Sequence, residues 1–553
     1  MKKITFSFLL VFLSFLVFAQ ADLNTSLQSL QGQLTEVETK SAIFTQVLEW
    51  TKDNPTKITL IINETSKKKG KEKVMSYAFS LQDVDVNAIR SKTNKDIVEV
   101  SLFMKSKQKL VVFSEDGVFK SYVPKFKVFA DNTDNGKIIE KTLKEAVKQA
   151  KKFPSSCPAT AHDGYQWMKD NIGDFSVGDV AKNQKVEING SVVDYTLVTK
   201  GKKSKQEHWV FNLADLKKRS VKLNIKSKDF YIEVKTKRNL KYIRYQKEDT
   251  KTRYTNKVRF YIADFDKAKC LLNVLELVID DSEKSMKANM PTYASANQAL
   301  EALSGYAGTI EGEKYKITQE LKPSCLTTLI SSETKGSSKA KDQEFKFNFL
   351  DINKKKIDIK VKGNLVLLQF GTSKNKLIQT YKDGELSSYT NKMSIVAPDI
   401  ETAKLMQVAA IASAEQCKNE IGFKGFTTSK ENFGWLSKTL KEHVVPEHEQ
   451  RLEMIDGEDC KWKLVSIKSG KKTVEEVYEF SLEDLSEKKI KWAISGKKLS
   501  IQINTKYKEK NIKYYKDGEP GNYKNSFSIE FNDIEAARNT ITVFQRAIEA
   551  CKG

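Results

Sequence analysis

The chain has 553 residues, with 94 Lys+Arg against 71 Asp+Glu and a formal net charge of +23. Apolar residues make up 39% and charged residues 30%. That balance excludes a protein of many membrane spans, and 29 Phe, 19 Tyr and 6 Trp exclude full disorder, because such side chains need cores to sit in.

The first element is an export signal. Lys2 and Lys3 precede an uncharged apolar run over residues 4–18, and Ala19-Gln20-Ala21 fits small-x-small cleavage. The run is too short for a span, which needs about 20 residues. Cleavage after Ala21 predicts an exported chain, periplasmic or secreted and soluble, in a compartment that permits disulfides.

The remainder repeats itself four times. Phe-x-(Leu/Phe)-x-Asp occurs at Phe79-Leu81-Asp83, Phe211-Leu213-Asp215, Phe347-Phe349-Asp351 and Phe480-Leu482-Asp484, in steps of 132, 136 and 133 residues. A tyrosine follows at Tyr122, Tyr254, Tyr389 and Tyr523, and Asp264, Asp399 and Asp533 each open an Asp-apolar-x-x-Ala motif. The expected division is a signal over 1–21 and copies over 22–157, 158–290, 291–421 and 422–553.

Within a copy the elements run in one order, clearest in the fourth. Residues 432–445 have helical spacing. Seven strand-like segments follow: 450–456, 460–468, 475–484, 488–495, 498–505, 511–516 and 523–532. Leu499, Ile501 and Ile503 alternate onto one face, and Tyr523, Phe527, Ile529 and Phe531 are expected to share another. From Asp533 a closing helix carries Ile534, Ala537, Ile541, Phe544, Ile548 and Cys551 on one stripe. The expected class is α+β, each copy being a leading helix, a bent antiparallel barrel of about seven strands and an amphipathic C-terminal helix.

That order of elements resembles the pleckstrin-homology-like superfold, in which a helix plugs one end of a bent barrel. Phosphoinositide-binding members carry a basic cluster at the first hairpin. Here Asp456-Gly457-Glu458-Asp459 stands there, and the closing helices lack the Trp usual in that family. The resemblance therefore implies a fold and no particular ligand.

Cys325 and Cys460 hold corresponding places, as do Cys417 and Cys551. The expected disulfides are Cys325–Cys417 and Cys460–Cys551, each pinning a helix to its barrel, with Cys157 and Cys270 left to bridge copies one and two.

No catalytic, cofactor or metal-binding residue is assigned. The chain has no GxSxG, phosphate-binding loop, GxGxxG or CxxC, and His443 and His448 are spaced five apart across Pro446. An acid that recurs in four copies reads as a turn or cap at a strand end. The expectation is a non-enzymatic protein without cofactor, and a hydrolase is the enzymatic alternative.

The one functional lead is charge. Residues 200–259 hold 20 basic and 6 acidic residues. Strand alternation puts Lys235, Lys237, Arg244, Lys257 and Arg259 outward on what a sequential meander would make one sheet face. Such a patch suits an anionic lipid surface or an acidic polysaccharide. A lysine-rich face that only keeps an exported protein soluble is the competing reading. The preferred function is a protein-interaction or scaffold module of the cell envelope or exterior with a protein partner; the alternative is a binder of anionic surfaces or polyanions. Nucleic acid is disfavoured, because export removes it and no recognition motif occurs.

Overall fold

The computed structural model describes residues 22–154, 157–226, 229–312, 315–420 and 422–552. The export signal expected over 1–21 lies outside the described residues. The chain is α+β, with helices alternating with antiparallel sheets. It forms two compact units, divided between Asn289 and Met290. Among the described residues no helix is long and apolar enough to cross a membrane.

Unit 1 contains helix α1 (22–33), then α2 (Thr133–Ala150), α3 (Ala161–Asn171) and α4 (Phe265–Ala288). Unit 2 contains α5 (Ala296–Tyr306), α6 (Ile400–Glu420), α7 (Ser429–Glu442) and α8 (Ile534–Ala550). Odd helices precede a pair of sheets and even helices follow it. The even helices start at a capping side chain. Asn132, Asp264, Asp399 and Asp533 each accept a backbone N–H three residues on, at 2.9, 2.8, 2.7 and 2.7 Å, which satisfies a donor that has no partner within the helix.

The sheets recur in one pattern, four times over. In the fourth stretch His448–Met454, Lys461–Lys468, Val474–Ser481, Lys513–Lys516 and Glu519–Pro520 make a large sheet, and Lys491–Ser495, Lys498–Asn504 and Ser526–Phe531 make a small one. The three earlier stretches have six and three strands in the same order. This corrects the sequential seven-strand meander. The sixth expected segment leaves the fifth and pairs with the third, with Tyr478 opposite Tyr514. The cause is a tight turn at Lys506–Lys508, where Tyr507 (φ 53°) and Lys508 (φ 63°) are left-handed. Thr505 Oγ1 bonds the Glu509 carbonyl at 2.6 Å and holds the reversal. Arg238 and Asn239 make the same left-handed step in copy 2, and Ser106 and Lys107 in copy 1.

The recurring Phe-x-(Leu/Phe)-x-Asp mark ends a strand. Its Phe is buried in every copy, and the chain then enters a 3-10 turn whose first residue (Leu81, Leu213, Phe349 or Leu482) is fully buried. The residue between accepts the N–H two positions on through its side chain: Ser80, Asn212, Asn348 and Ser481. Each buried Leu or Phe contributes about 1.5–3 kcal/mol, so the mark anchors the large sheet to its core.

A second recurrence joins the two sheets. Gln46 in copy 1 donates to the Phe129 carbonyl at 2.8 Å and accepts the Phe129 N–H at 2.7 Å. Gln184 does the same with Tyr261 (3.1 and 3.2 Å), Gln319 with Val396 (2.9 and 2.7 Å) and Gln450 with Glu530 (2.8 and 2.8 Å). Each Gln is buried on the large sheet, and each partner lies on the last strand of the small sheet. One amide thus replaces a missing pair of ladder bonds where no strand continues the sheet.

Three disulfides close the units. Cys325–Cys417 and Cys460–Cys551 tie the start of a large-sheet strand to the end region of α6 or α8. Cys157–Cys270 ties the segment after α2 to α4.

Candidate functional site

The five cations singled out in copy 2 do not share one face. Lys235 and Lys257 stand opposite each other in the small sheet, both exposed. Arg259 lies opposite Glu233 in that sheet and its Nε donates to the Glu233 carboxylate at 2.8 Å, with Lys257 3.9 Å from the same carboxylate. Lys237 sits in the 3-10 turn, donating to the Ala214 carbonyl at 2.6 Å and pairing with Glu283 at 2.8 Å. Arg244 belongs to the large sheet, between Val210 and Tyr254. The expectation of one patch on one sheet is corrected, because the left-handed step at Arg238 carries the chain from the small sheet to the large one. Glu233 and Glu283 also neutralise part of the charge, and exposed pairs of this kind are worth little individually.

Two of the five do border a common cleft, of about 230 Å³. Its walls include Lys205, Trp209 and Tyr245 from the large sheet, and Lys257, Arg259 and Tyr261 from the strand Lys257–Ile262 of the small sheet. The aromatic side is continuous: Trp209 lies 5.1 Å from Tyr195 and 5.4 Å from Tyr245. Tyr245 donates to Glu207 at 2.7 Å, and burial and then that bond push its phenol well above the ordinary range. Lys205 pairs with Glu207 at 2.6 Å. The cleft offers an aromatic wall beside cations, a setting for an anionic group carried on an apolar or ring-shaped body.

The recurring acids have a different use. Asp83 of copy 1 pairs with Lys269 of α4 in copy 2 at 2.9 Å. Asp351 of copy 3 takes Arg538 of α8 in copy 4 through both carboxylate oxygens, one bond being 2.8 Å. Burial opposes the charge of Asp351 more than Arg538 supports it, so its carboxyl is held above the ordinary range. The recurring tyrosine joins the same contacts. The Tyr122 ring lies 4.5 Å from Phe265 and 5.5 Å from Phe230, and Tyr389 is buried in the core of copy 4 with Leu377. These residues form copy-to-copy joints. The cation five places after the capping Asp (Lys269, Arg538) was visible in the sequence as a further recurring position.

One group has the order of a catalytic triad. His448 Nε2 lies 2.7 Å from Ser466 Oγ, and Nδ1 lies 3.1 Å from Glu530. His448 and Ser466 are 7% and 4% exposed, sealed within the sheet packing. A nucleophile must present its oxygen to substrate, and Ser466 does not. The contact holds the Glu530 carboxyl below the ordinary range, first through the His448 bond, and its role is to fasten the strand His448–Met454 to the small sheet.

Compared with known proteins, the chain matches no family model and no curated protein.

Proposed function

We propose that this chain is an exported, non-catalytic repeat protein that works as a protein-interaction module of the envelope or cell exterior. Four tandem copies, each a small bent barrel with a leading and a closing helix, are the organisation this reading assumes. One observation carries it: the residues that recur are used for closing copies and joining them, as in Asp83–Lys269 and Asp351–Arg538. What differs between copies is left for recognition. In copy 1 the strand Val118–Val123 ends the large sheet, and Val118 and Phe119 are 59% and 51% exposed. Such an edge suits an extended segment of a partner, added as a further strand. The test is retention of a single envelope protein by the immobilised chain at high salt. Phe119→Lys with Val118→Lys should abolish it. Retention unchanged in that variant would refute this docking edge.

A second reading has its own observation. Lys257 and Arg259 border the aromatic cleft of copy 2, which fits an anionic surface or polyanion. Binding to anionic vesicles or an acidic polysaccharide, weakened by salt and by Arg244→Glu with Arg259→Glu, supports it. Binding that is unchanged by those substitutions counts against it.

A further inference from the structure

The joint between copies 1 and 2 holds a solvent-open cleft of about 560 Å³, within the range of small-ligand sites. Lys57, Lys105, Lys151, Lys267 and Lys269 line it, against Asp83 and Asp266. Both acids are committed: Asp83 to Lys269, and Asp266 to Lys57 at 3.4 Å and Lys269 at 3.6 Å. Lys105 and Lys151 have no ion pair among the described residues. Burial lowers the pKa of Lys105, and Lys151 lowers it further, while Asp83, Glu276 and Asp85 oppose both effects. Two neighbouring ammonium groups without a dedicated anion make an arrangement that a bound anion would relieve. The disulfide Cys157–Cys270 is part of the wall, so the site is built on a fixed frame.

The rest of the lining is neither apolar nor purely ionic. Asn171, Asn273 and Gln82 bring amides, and Trp167 brings a half-buried indole. Gln82 gives its amide N–H donors to the Ala150 and Phe153 carbonyls and Asn171 gives one to the Trp167 carbonyl, so these amides offer chiefly acceptors, which beside an aromatic plane match the hydroxyls of a ring. The place of Lys105 in copy 3 is held by Ser373, each residue following the one (Met104 or Thr372) that bridges back to the 3-10 turn. Copies 2 and 4 carry Lys237 and Lys506 there, so the cation recurs, but Ser373 shows that it is not required to build a joint.

We propose that this cleft binds a sugar bearing an anionic group, with Lys105 and Lys151 holding the anion and Trp167 and the amides holding the ring. A carboxylate and a phosphate satisfy the same two lysines, and the probes separate them.

The experiment is calorimetric titration of the full exported chain with glucuronate, glucose 6-phosphate, inorganic phosphate and glucose. Saturable binding of glucuronate or glucose 6-phosphate, at least tenfold tighter than glucose and than inorganic phosphate, is the expected result. Lys105→Ser and Lys151→Ala should each weaken it about tenfold or more, and Trp167→Ala should weaken the sugar probes but not inorganic phosphate. Lys105→Ser places the copy 3 residue in this joint, and an unchanged melting temperature shows that it folds; Lys151→Ala repeats the test independently. No binding of either anionic sugar overturns the proposal. So does equal binding of glucose, equal binding of inorganic phosphate, or affinity unchanged in both lysine variants.

Discussion

The two joints place equivalent residues in equivalent positions and reach different interiors. Between copies 3 and 4, Asp351 and Arg538 form a buried two-bond pair, with Leu377 and Tyr389 packed into the core of copy 4 and Arg538 lying 5.9 Å from the Trp492 ring. Between copies 1 and 2, a flexible Lys269 replaces the planar guanidinium, contacts are spread over Gln108, Lys57 and Tyr122, and a polar cleft remains. Arg offers a fixed fork that matches a carboxylate, whereas Lys offers a point charge on a long stem. The same architecture thus gives a dense fastening in one unit and an open, lysine-lined one in the other.

The largest test of that difference removes the cation from each joint. Arg538→Ala strands Asp351, whose side chain is 6% exposed, and should cost about 3–5 kcal/mol. Lys269→Ala leaves Asp83, at 17% exposure, and should cost about 1.5–3 kcal/mol. Chemical denaturation of the intact chain, following separate transitions where the units resolve them, measures both. Equal costs would mean that the joints differ in shape and not in strength.

The glutamine clamps should behave alike in both units, which makes them the internal control. Gln319→Ala removes two bonds and leaves the buried Val396 backbone N–H and carbonyl without their partner, at about 1–3 kcal/mol. Gln46→Ala should fall in the same range, since its contacts to Phe129 are of the same kind and length. Hydrogen exchange at the Val396 and Phe129 amides should rise in the respective variants. A clamp whose loss changes neither stability nor exchange would show that water serves as well.

Much of this organisation could be read in the sequence, and the reasons differ by element. Phe79, Phe211, Phe347 and Phe480 recur because a core position tolerates few shapes, so their spacing shows through divergence. The closing helices announce themselves by a capping Asp and an apolar stripe, both local properties of the chain. The strand order could not be read. It is decided at Ser106, Arg238 and Tyr507, where ordinary residues take positive φ with no glycine to mark the turn, and after Thr372 in copy 3, where the same crossing is made without a positive φ. The basic patch of copy 2 failed for the same reason, since Lys235 and Arg244 lie on opposite sides of that step and the chain returns to the small sheet only at Lys257. The clamps at Gln46, Gln184, Gln319 and Gln450 escaped because a polar residue on a strand carries no sign of which backbone it will meet. The joint cleft draws on Lys105, Lys151 and Trp167, which only the packing of two copies brings together.

The smallest predicted effect sharpens the comparison most, because it asks whether a joint residue matters outside a joint. Tyr389 is buried in the core of copy 4, whereas its counterpart Tyr523 is 53% exposed. Beside these tyrosines the difference continues: Leu377 is buried, and Asn511 occupies the matching place before Ile512. Tyr389→Ala empties a packed aromatic site and should cost about 3–5 kcal/mol. Tyr523→Ala removes a ring that already faces water and should stay within about 0.5 kcal/mol of the parent chain. The pair separates two meanings of recurrence. If Tyr523→Ala is silent, the tyrosine is a joint residue that copy 4 carries without using in the isolated chain. If it costs as much as Tyr389→Ala, the ring stabilises its own copy, and the packing of Tyr122 on Phe265 and of Tyr389 in copy 4 is a consequence of where the copies meet and not the cause of their meeting.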